Sequence, residues 1–290
     1  MSIFLPFIYM IIGLVIGKFL PDIRSGLSRL LMKILIPYVI AYNLITYREG
    51  MVIFAALSIV FCILLFSISY TFSRNKLTAL SFSYLNVGWL GLPLAVAIFG
   101  DMASRVIIAA YIGSSIFGNI ACVAAMQEHG NWRVMMNKTL TSPPVLAVVA
   151  GVVLRILPLD LAGSPELKIG YDLAKHLMSI VGMCILGIWL YSSRITTASI
   201  KTSIPLAFMR LVSGGIIVCL FVLIANILRI EVVIENAPVL FILPLLPPAA
   251  NIVVLETYYR GTGHSASMIA SGTLISLALL FLYASALLTL

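Results

Sequence analysis

Acidic residues are scarce in this chain of 290 residues: Asp and Glu together number 10, and only Glu256 lies well inside an apolar run. That disfavours an antiporter of the paired-aspartate kind, since a proton or sodium relay needs carboxylates near the bilayer centre. Charged residues of either sign make up only 10% of the chain, too few to clothe a soluble globule. Cysteine is sparse as well: Cys62, Cys122, Cys184 and Cys219 all lie in apolar runs, without zinc-site or disulfide-framework spacing, and read as core packing. There is no HExxH, GxSxG or Walker loop, and His129, His176 and His264 sit near run ends in unrelated places. Gly261-Thr262-Gly263 reads as a turn, not a phosphate cradle. These absences argue against an enzyme, a bound metal or a resident cofactor.

Hydrophobic residues make up 62% of the chain and the mean hydropathy is +1.14, so the expected class is an all-α integral membrane protein. A bilayer crossing takes roughly 20 apolar residues. Polar punctuation divides the chain into ten runs: Ile3–Phe19, Leu30–Tyr47, Met51–Phe72, Thr78–Phe99, Arg105–Met126, Pro143–Leu157, Tyr171–Tyr191, Ile204–Leu228, Ala237–Tyr259 and Ser265–Leu288. The first run is as short as a signal peptide but lacks a basic residue before it and a small-residue cleavage site after it, so it counts as a span.

Two runs are interrupted. Ala237 to Arg260 holds Pro244, Pro247 and Pro248, and Thr78 to Gly100 holds Asn86, Gly88, Gly91 and Pro93. Proline removes a backbone donor and clashes with the preceding turn, so the freed carbonyls need partners that lipid does not supply. One such break in each half of the chain points to a transporter site at the bilayer midplane. The halves also echo each other: Pro6, Gly13, Lys18 and Pro21 correspond to Pro144, Gly151, Arg155 and Pro158. The expected plan is ten transmembrane helices as a 5+5 inverted repeat, residues 1–130 and 131–290, with broken helices in spans four and nine.

Basic residues set the expected orientation. Of the 18, 12 (Arg210 and Arg260 among them) flank the loops after odd-numbered spans, which by the positive-inside rule puts both termini outside. They fall singly, as topology signals, and give no nucleic-acid face. Glu256 lies about eight residues past the second break, and two readings stand: an i, i+4 pair with Arg260, or a protonation site coupled to transport. Asn86 and Asn251 flank the breaks and serve either to bridge freed carbonyls or to bind a small organic anion, helped by half-helix dipoles. Asn43 and Asn119, inside spans two and five, read as contacts between helices.

Asn86-Val-Gly-Trp-Leu-Gly-Leu-Pro-Leu resembles the fourth-helix crossover motif N-x-x-x-x-G-[IL]-P-L of the auxin efflux carrier family. Leu246-Pro-Pro-Ala-Ala-Asn-Ile-Val resembles its ninth-helix P-P-A-A-N motif. The resemblance implies a fold like the bile-acid and sodium/proton exchanger group. Spans one, two, six and seven would form a scaffold domain, and spans three to five with eight to ten a transporter domain. It implies a secondary carrier of small organic anions such as mono- or dicarboxylates, without cofactor, in which proton or sodium coupling stays open. The implied substrate-binding set is Asn86, Gly88, Gly91, Pro93, Pro247, Pro248 and Asn251, with Asn43 added and Glu256 as the coupling candidate. The segment after span five is brief, unlike that of plant members, which favours a bacterial inner membrane. The partners expected are the anion, the lipid bilayer and, as candidate assembly, a homodimer through the scaffold. A non-transporting receptor or regulatory protein using the same pocket is the alternative.

Overall fold

The computed structural model describes residues 5–46, 51–126, 133, 137, 140–157, 163–193 and 195–289. These are helical almost throughout, and among them the extended pairing is a single antiparallel bridge between Leu85 and Pro248. In chain order the helices are α1 (Leu5–Phe19), α2 (Ile23–Ile45), α3 (Met51–Ser73), α4 (Lys76–Ser83), α5 (Leu92–Phe99), α6 (Asp101–Met126), α7 (Pro143–Ile156) and α8 (Pro165–Ser193). There follow α9 (Thr197–Ile227), α10 (Glu231–Glu235), α11 (Ala237–Leu240), α12 (Asn251–Arg260) and α13 (Ser265–Thr289). Six of them, α2, α3, α6, α8, α9 and α13, are long and apolar enough to cross a membrane. Within α2 the turn at Leu31–Leu35 widens to a π-turn just before Pro37, whose ring would otherwise meet the carbonyl four residues back.

The amphipathicity of α9 is that of a lipid-facing helix. Ile204, Phe208, Val212, Ile216, Leu220 and Ile224, at every fourth position, are exposed, while Ser203, Ala207, Arg210 and Gly214 are buried. A soluble helix would place charge on the exposed stripe; here the outside is oily and the polar and small residues turn inward. The protein is therefore an all-helical chain whose apolar helices suit a bilayer.

Small residues let the helices approach closely, as expected where no water drives them together. α1 lies against α8 with Gly13 on the Cys184 backbone and Gly187 on the Met10 carbonyl. α2 lies against α7 at Gly151, which faces Ala41 and Leu44. α3 lies against α6, where Gly113 meets the Ala55 backbone and Ser58 Oγ donates to the Ala110 carbonyl at 2.8 Å. α9 and α13 meet through the hydroxyls of Ser203 and Ser271, 2.7 Å apart.

The buried apolar side chains gather in two cores. One is built on α2, α8 and α12, the other on α3, α6 and residues 239–246. The second interrupted run passes from one core to the other at its interruption, residues 239–246 belonging to the second and 249–255 to the first. The first run faces both before its break, Leu80 and Tyr84 in the first core and Phe82 in the second, and then continues in the second with Leu85, Val87, Leu90, Leu94 and Ala95.

Several expectations change. Three long helices start earlier than their apolar runs, at Asp101, Pro165 and Thr197, because polar first turns carry helix beyond the oily stretch. In α9 a capping box fixes the start: Ser199 N–H donates to Thr196 Oγ1 and Thr196 N–H to Ser199 Oγ, both at 3.1 Å. Arg210 is consequently deep inside α9 and 3% exposed, not a loop-flanking topology signal. Cys219 is exposed on the outward face of α9, not core packing, whereas Cys62, Cys122 and Cys184 are buried. Much of the polar stretch Gln127 to Lys138, with His129 in it, lies outside the described residues.

Gly187→Leu should lower the apparent melting temperature of the purified protein, by a stability loss of about 1–3 kcal/mol, because its side chain would strike the Met10 carbonyl. Gly26→Ala, on α2 where an added Cβ would meet no neighbour, should raise stability by up to about 1 kcal/mol in the same thermal unfolding measurement.

Candidate functional site

The first interruption follows directly from the local chemistry. α4 starts on Asn75, whose Oδ1 accepts from the N–H groups of Leu77 and Thr78 at 2.9 and 3.1 Å. It stops at Ser83, and Tyr84 is extended, with φ −89° and ψ 102°. The chain resumes as a wide π-turn at Val87–Gly91, in which Gly91 N–H donates to the Asn86 carbonyl at 3.1 Å, and runs into α5.

In the middle of the second interrupted run Pro244, Pro247 and Pro248 each delete a donor. α11 ends at Leu240, a short 3-10 turn covers Leu243–Leu245, and Leu246 is extended with ψ 147° before Pro247 and Pro248. α12 restarts at Asn251.

The two unwound segments satisfy each other. Asn86 N–H donates to the Pro247 carbonyl at 2.8 Å and Ala249 N–H to the Tyr84 carbonyl at 2.9 Å. Between these bonds Leu85 and Pro248 face each other in antiparallel fashion. Four backbone groups that a continuous helix would have paired internally are thus paired across the crossing, the condition for unwound chain in an apolar interior. Gly91 permits the approach, because a Cβ there would press on the Leu246 side chain.

On one side of the crossing lies a small pocket lined by Tyr84, Asn86, Gly88, Tyr111, Ala250 and Asn251, among others. Asn86 and Asn251 are buried, 8% and 6% exposed. Asn251 Nδ2 donates to the Tyr84 hydroxyl at 3.0 Å, while Asn251 Oδ1 is buried without a hydrogen-bond partner. Gly88 makes room for the Tyr111 ring, which a Cβ would overlap, and Gly118 does the same for the ring of Tyr84. The helical turns that restart beyond each interruption begin beside this pocket, so the positive ends of their dipoles face it.

The structure thus brings Asn86, Gly88 and Asn251 into one pocket, with Gly91, Pro247 and Pro248 building the crossing beside it. Pro93 is the second residue of α5, and its side chain lies outside the described ones. Asn43 does not line the pocket: buried on α2, it pairs with the Tyr171 side chain of α8. Asn119 does not bridge helices; its Nδ2 donates to the Ser115 carbonyl one turn back in α6, at 2.7 Å. Sequence reasoning missed Tyr111, which no motif marks, and Arg210, whose depth in α9 could have been suspected from its distance to the Thr196 cap.

Glu256 and Arg260 do not form the expected pair. Glu256 is fully buried, and its Oε1 accepts from Thr262 Oγ1 and His264 N–H, both at 2.7 Å. Its Oε2 accepts from Ser265 N–H at 2.9 Å and Ser265 Oγ at 2.6 Å. The carboxylate therefore clamps the turn at 261–264 and caps the start of α13. Arg260 instead caps the end of α6, donating to the Met126 and Ala125 carbonyls at 3.0 and 2.9 Å. Among the described residues no group of His, Cys, Asp or Glu side chains is placed to hold a metal.

Compared with known protein families and with curated proteins, the chain matches none.

Glu256→Gln keeps one acceptor oxygen and turns an amide NH2 towards donors, so we expect it to cost about 2–3 kcal/mol, read as a lower apparent melting temperature. Tyr84→Phe should cost about 1–3 kcal/mol, because both polar atoms of the Asn251 amide are then left unpaired.

Proposed function

We propose that this chain is a secondary membrane carrier that moves a small organic anion by alternating access at the crossing of its two interrupted helices. The observation that carries the reading is the reciprocal pairing of Tyr84 to Asn86 with Pro247 to Ala249, beside a pocket lined by Asn86, Gly88 and Asn251. A purely structural membrane bundle has no use for unwound backbone at such depth, whereas a substrate site does.

The ten crossings are α1 to α3, the α4–α5 pair, α6 to α9, the α11–α12 pair and α13, related as two inverted halves. Paired features support the duplication. The hydrogen bonds of the crossing exchange under a swap of Tyr84 with Pro247 and Asn86 with Ala249. Left-handed backbone occurs at Arg74 and Arg229, each ending the long helix before an interrupted run, and at Gly100 and Gly261, each ending the half-helix after it. α1 packs on α8 as α7 packs on α2, the first crossing on the seventh and the sixth on the second. Those four helices make the scaffold in this reading, and the remaining six crossings carry the site. With Arg210 withdrawn, the loop-flanking basic residues still favour both termini outside, 11 against 6. The resemblance to the auxin efflux carrier family gives the same plan, a bacterial inner membrane as location, and a homodimer through the scaffold.

The test is uptake of radiolabelled mono- and dicarboxylates into liposomes holding the purified protein. We expect saturable uptake of at least one, reduced about tenfold or more by Asn251→Ala, which removes the amide at the crossing. Correctly folded protein that moves none of a broad panel would end the reading, and ligand-induced stabilisation without flux would make the protein a receptor. Uptake whose pH dependence survives Glu256→Gln would take that residue out of any coupling role.

A further inference from the structure

Arg210 stands about 20 Å along α9 from its start, taking 1.5 Å of rise per residue, and is 3% exposed. Its Nε donates to the Pro244 carbonyl at 3.4 Å and its Nη2 to Ser276 Oγ at 3.1 Å. The first acceptor exists because Pro248 has no N–H to offer the carbonyl four residues back. Both acceptors are neutral, and among the described residues no carboxylate bonds to the guanidinium. The buried acid of the same half, Glu256, already has four donors of its own. α3, the counterpart of α9 in the first half, carries no charged residue at all. The cation thus has no counterpart in α3, and it stands where a lone charge is costly.

A second, small pocket opens against this side chain on Thr78, Ser81, Ser203, Arg210 and Pro248. Ser81 Oγ is buried without a partner. The wall thus offers one positive charge, guanidinium N–H groups not used by Pro244 or Ser276, and hydroxyls. We propose that this pocket binds a small monocarboxylate, with its two oxygens on the Arg210 guanidinium and a hydroxyl of Ser81 or Ser203 beside them. The planar fork of arginine fits two carboxylate oxygens at once, and a single cation is neutralised by a single negative charge. Phosphate would bring excess charge into the apolar interior, and chloride, a single spherical acceptor, would not match the two-pronged fork. The site rests on the carrier reading only insofar as the ligand is the transported species; Pro248 lies in its wall, which connects it to the crossing.

The test titrates the full-length purified protein with sodium acetate, lactate and benzoate at constant ionic strength, with sodium chloride and phosphate as controls, reading melting temperature and heat of binding. At least one monocarboxylate should stabilise the wild type, and Arg210→Gln should weaken its binding about thirtyfold or more. Arg210→Lys, which keeps the charge without the fork, and Ser203→Ala should each weaken it less, and both carry the measurement if Arg210→Gln fails to fold. Without ligand, Arg210→Gln should melt no lower than the wild type, since it removes an uncompensated buried charge. The site is overturned if none of the three acids binds, if chloride or phosphate stabilises as well as they do, or if their affinity is unchanged in the Arg210 variants. Binding without flux in liposomes leaves this site standing and removes the carrier; flux indifferent to Arg210→Gln does the reverse.

Discussion

A peptide group in an apolar interior must find its hydrogen-bond partner within the protein, and the rest of this structure is arranged around the few places where the helix cannot supply one. Pro247 and Pro248 withdraw donors from the carbonyls of Leu243 and Pro244. Leu246 N–H turns back to Leu243 at 3.1 Å, and Arg210 Nε reaches Pro244. The Pro247 carbonyl takes Asn86 N–H from the other interrupted run, and the Tyr84 carbonyl takes Ala249 N–H. Neither unwound segment is satisfied alone. The crossing is the solution to two deficits at once, which is why the runs are interrupted at depths that coincide.

Packing holds that solution in place. Gly88, Gly91 and Gly118 admit the Tyr111, Leu246 and Tyr84 side chains, and Gly214 lies under the Pro244 ring, so aromatic and branched side chains wedge the crossing where a backbone ladder would otherwise hold it. Because both interrupted runs touch the two apolar cores around the crossing, a shift of one core against the other would be felt first at these residues. The long-helix pairs around them, tight at Gly13, Gly113, Gly151 and Gly187, supply the rigid frame.

Charged side chains at helix ends, the exposed Arg155 and Arg260 and the buried Glu256, act as partners for backbone groups. Arg260 closes the carbonyl end of α6, Arg155 reaches the Leu44 and Ile45 carbonyls at the end of α2, and Glu256 holds the amide end of α13. Each places the sign that a helix terminus attracts. Arg210 departs from this pattern, since its two bonds leave a full positive charge unanswered in a buried position.

The helical membrane class and the positions of both interruptions were legible in the chain itself, because apolar runs and the missing donors of Pro244, Pro247 and Pro248 act within a few residues of where they are written. Asn86 and Asn251 were recognisable for the same reason, as amides next to freed backbone. The partners of Glu256 and Arg260 were not: an i, i+4 spacing permits a pair, but the Ser265 and Thr262 donors and the Met126 carbonyl lie closer to hand once the helices pack. Nor could linear order say that Arg210 of α9 faces Pro244 and Ser276, or that Tyr111 closes the pocket at Gly88. Those contacts join residues far apart in the chain, and only the close approach of whole helices decides which groups meet.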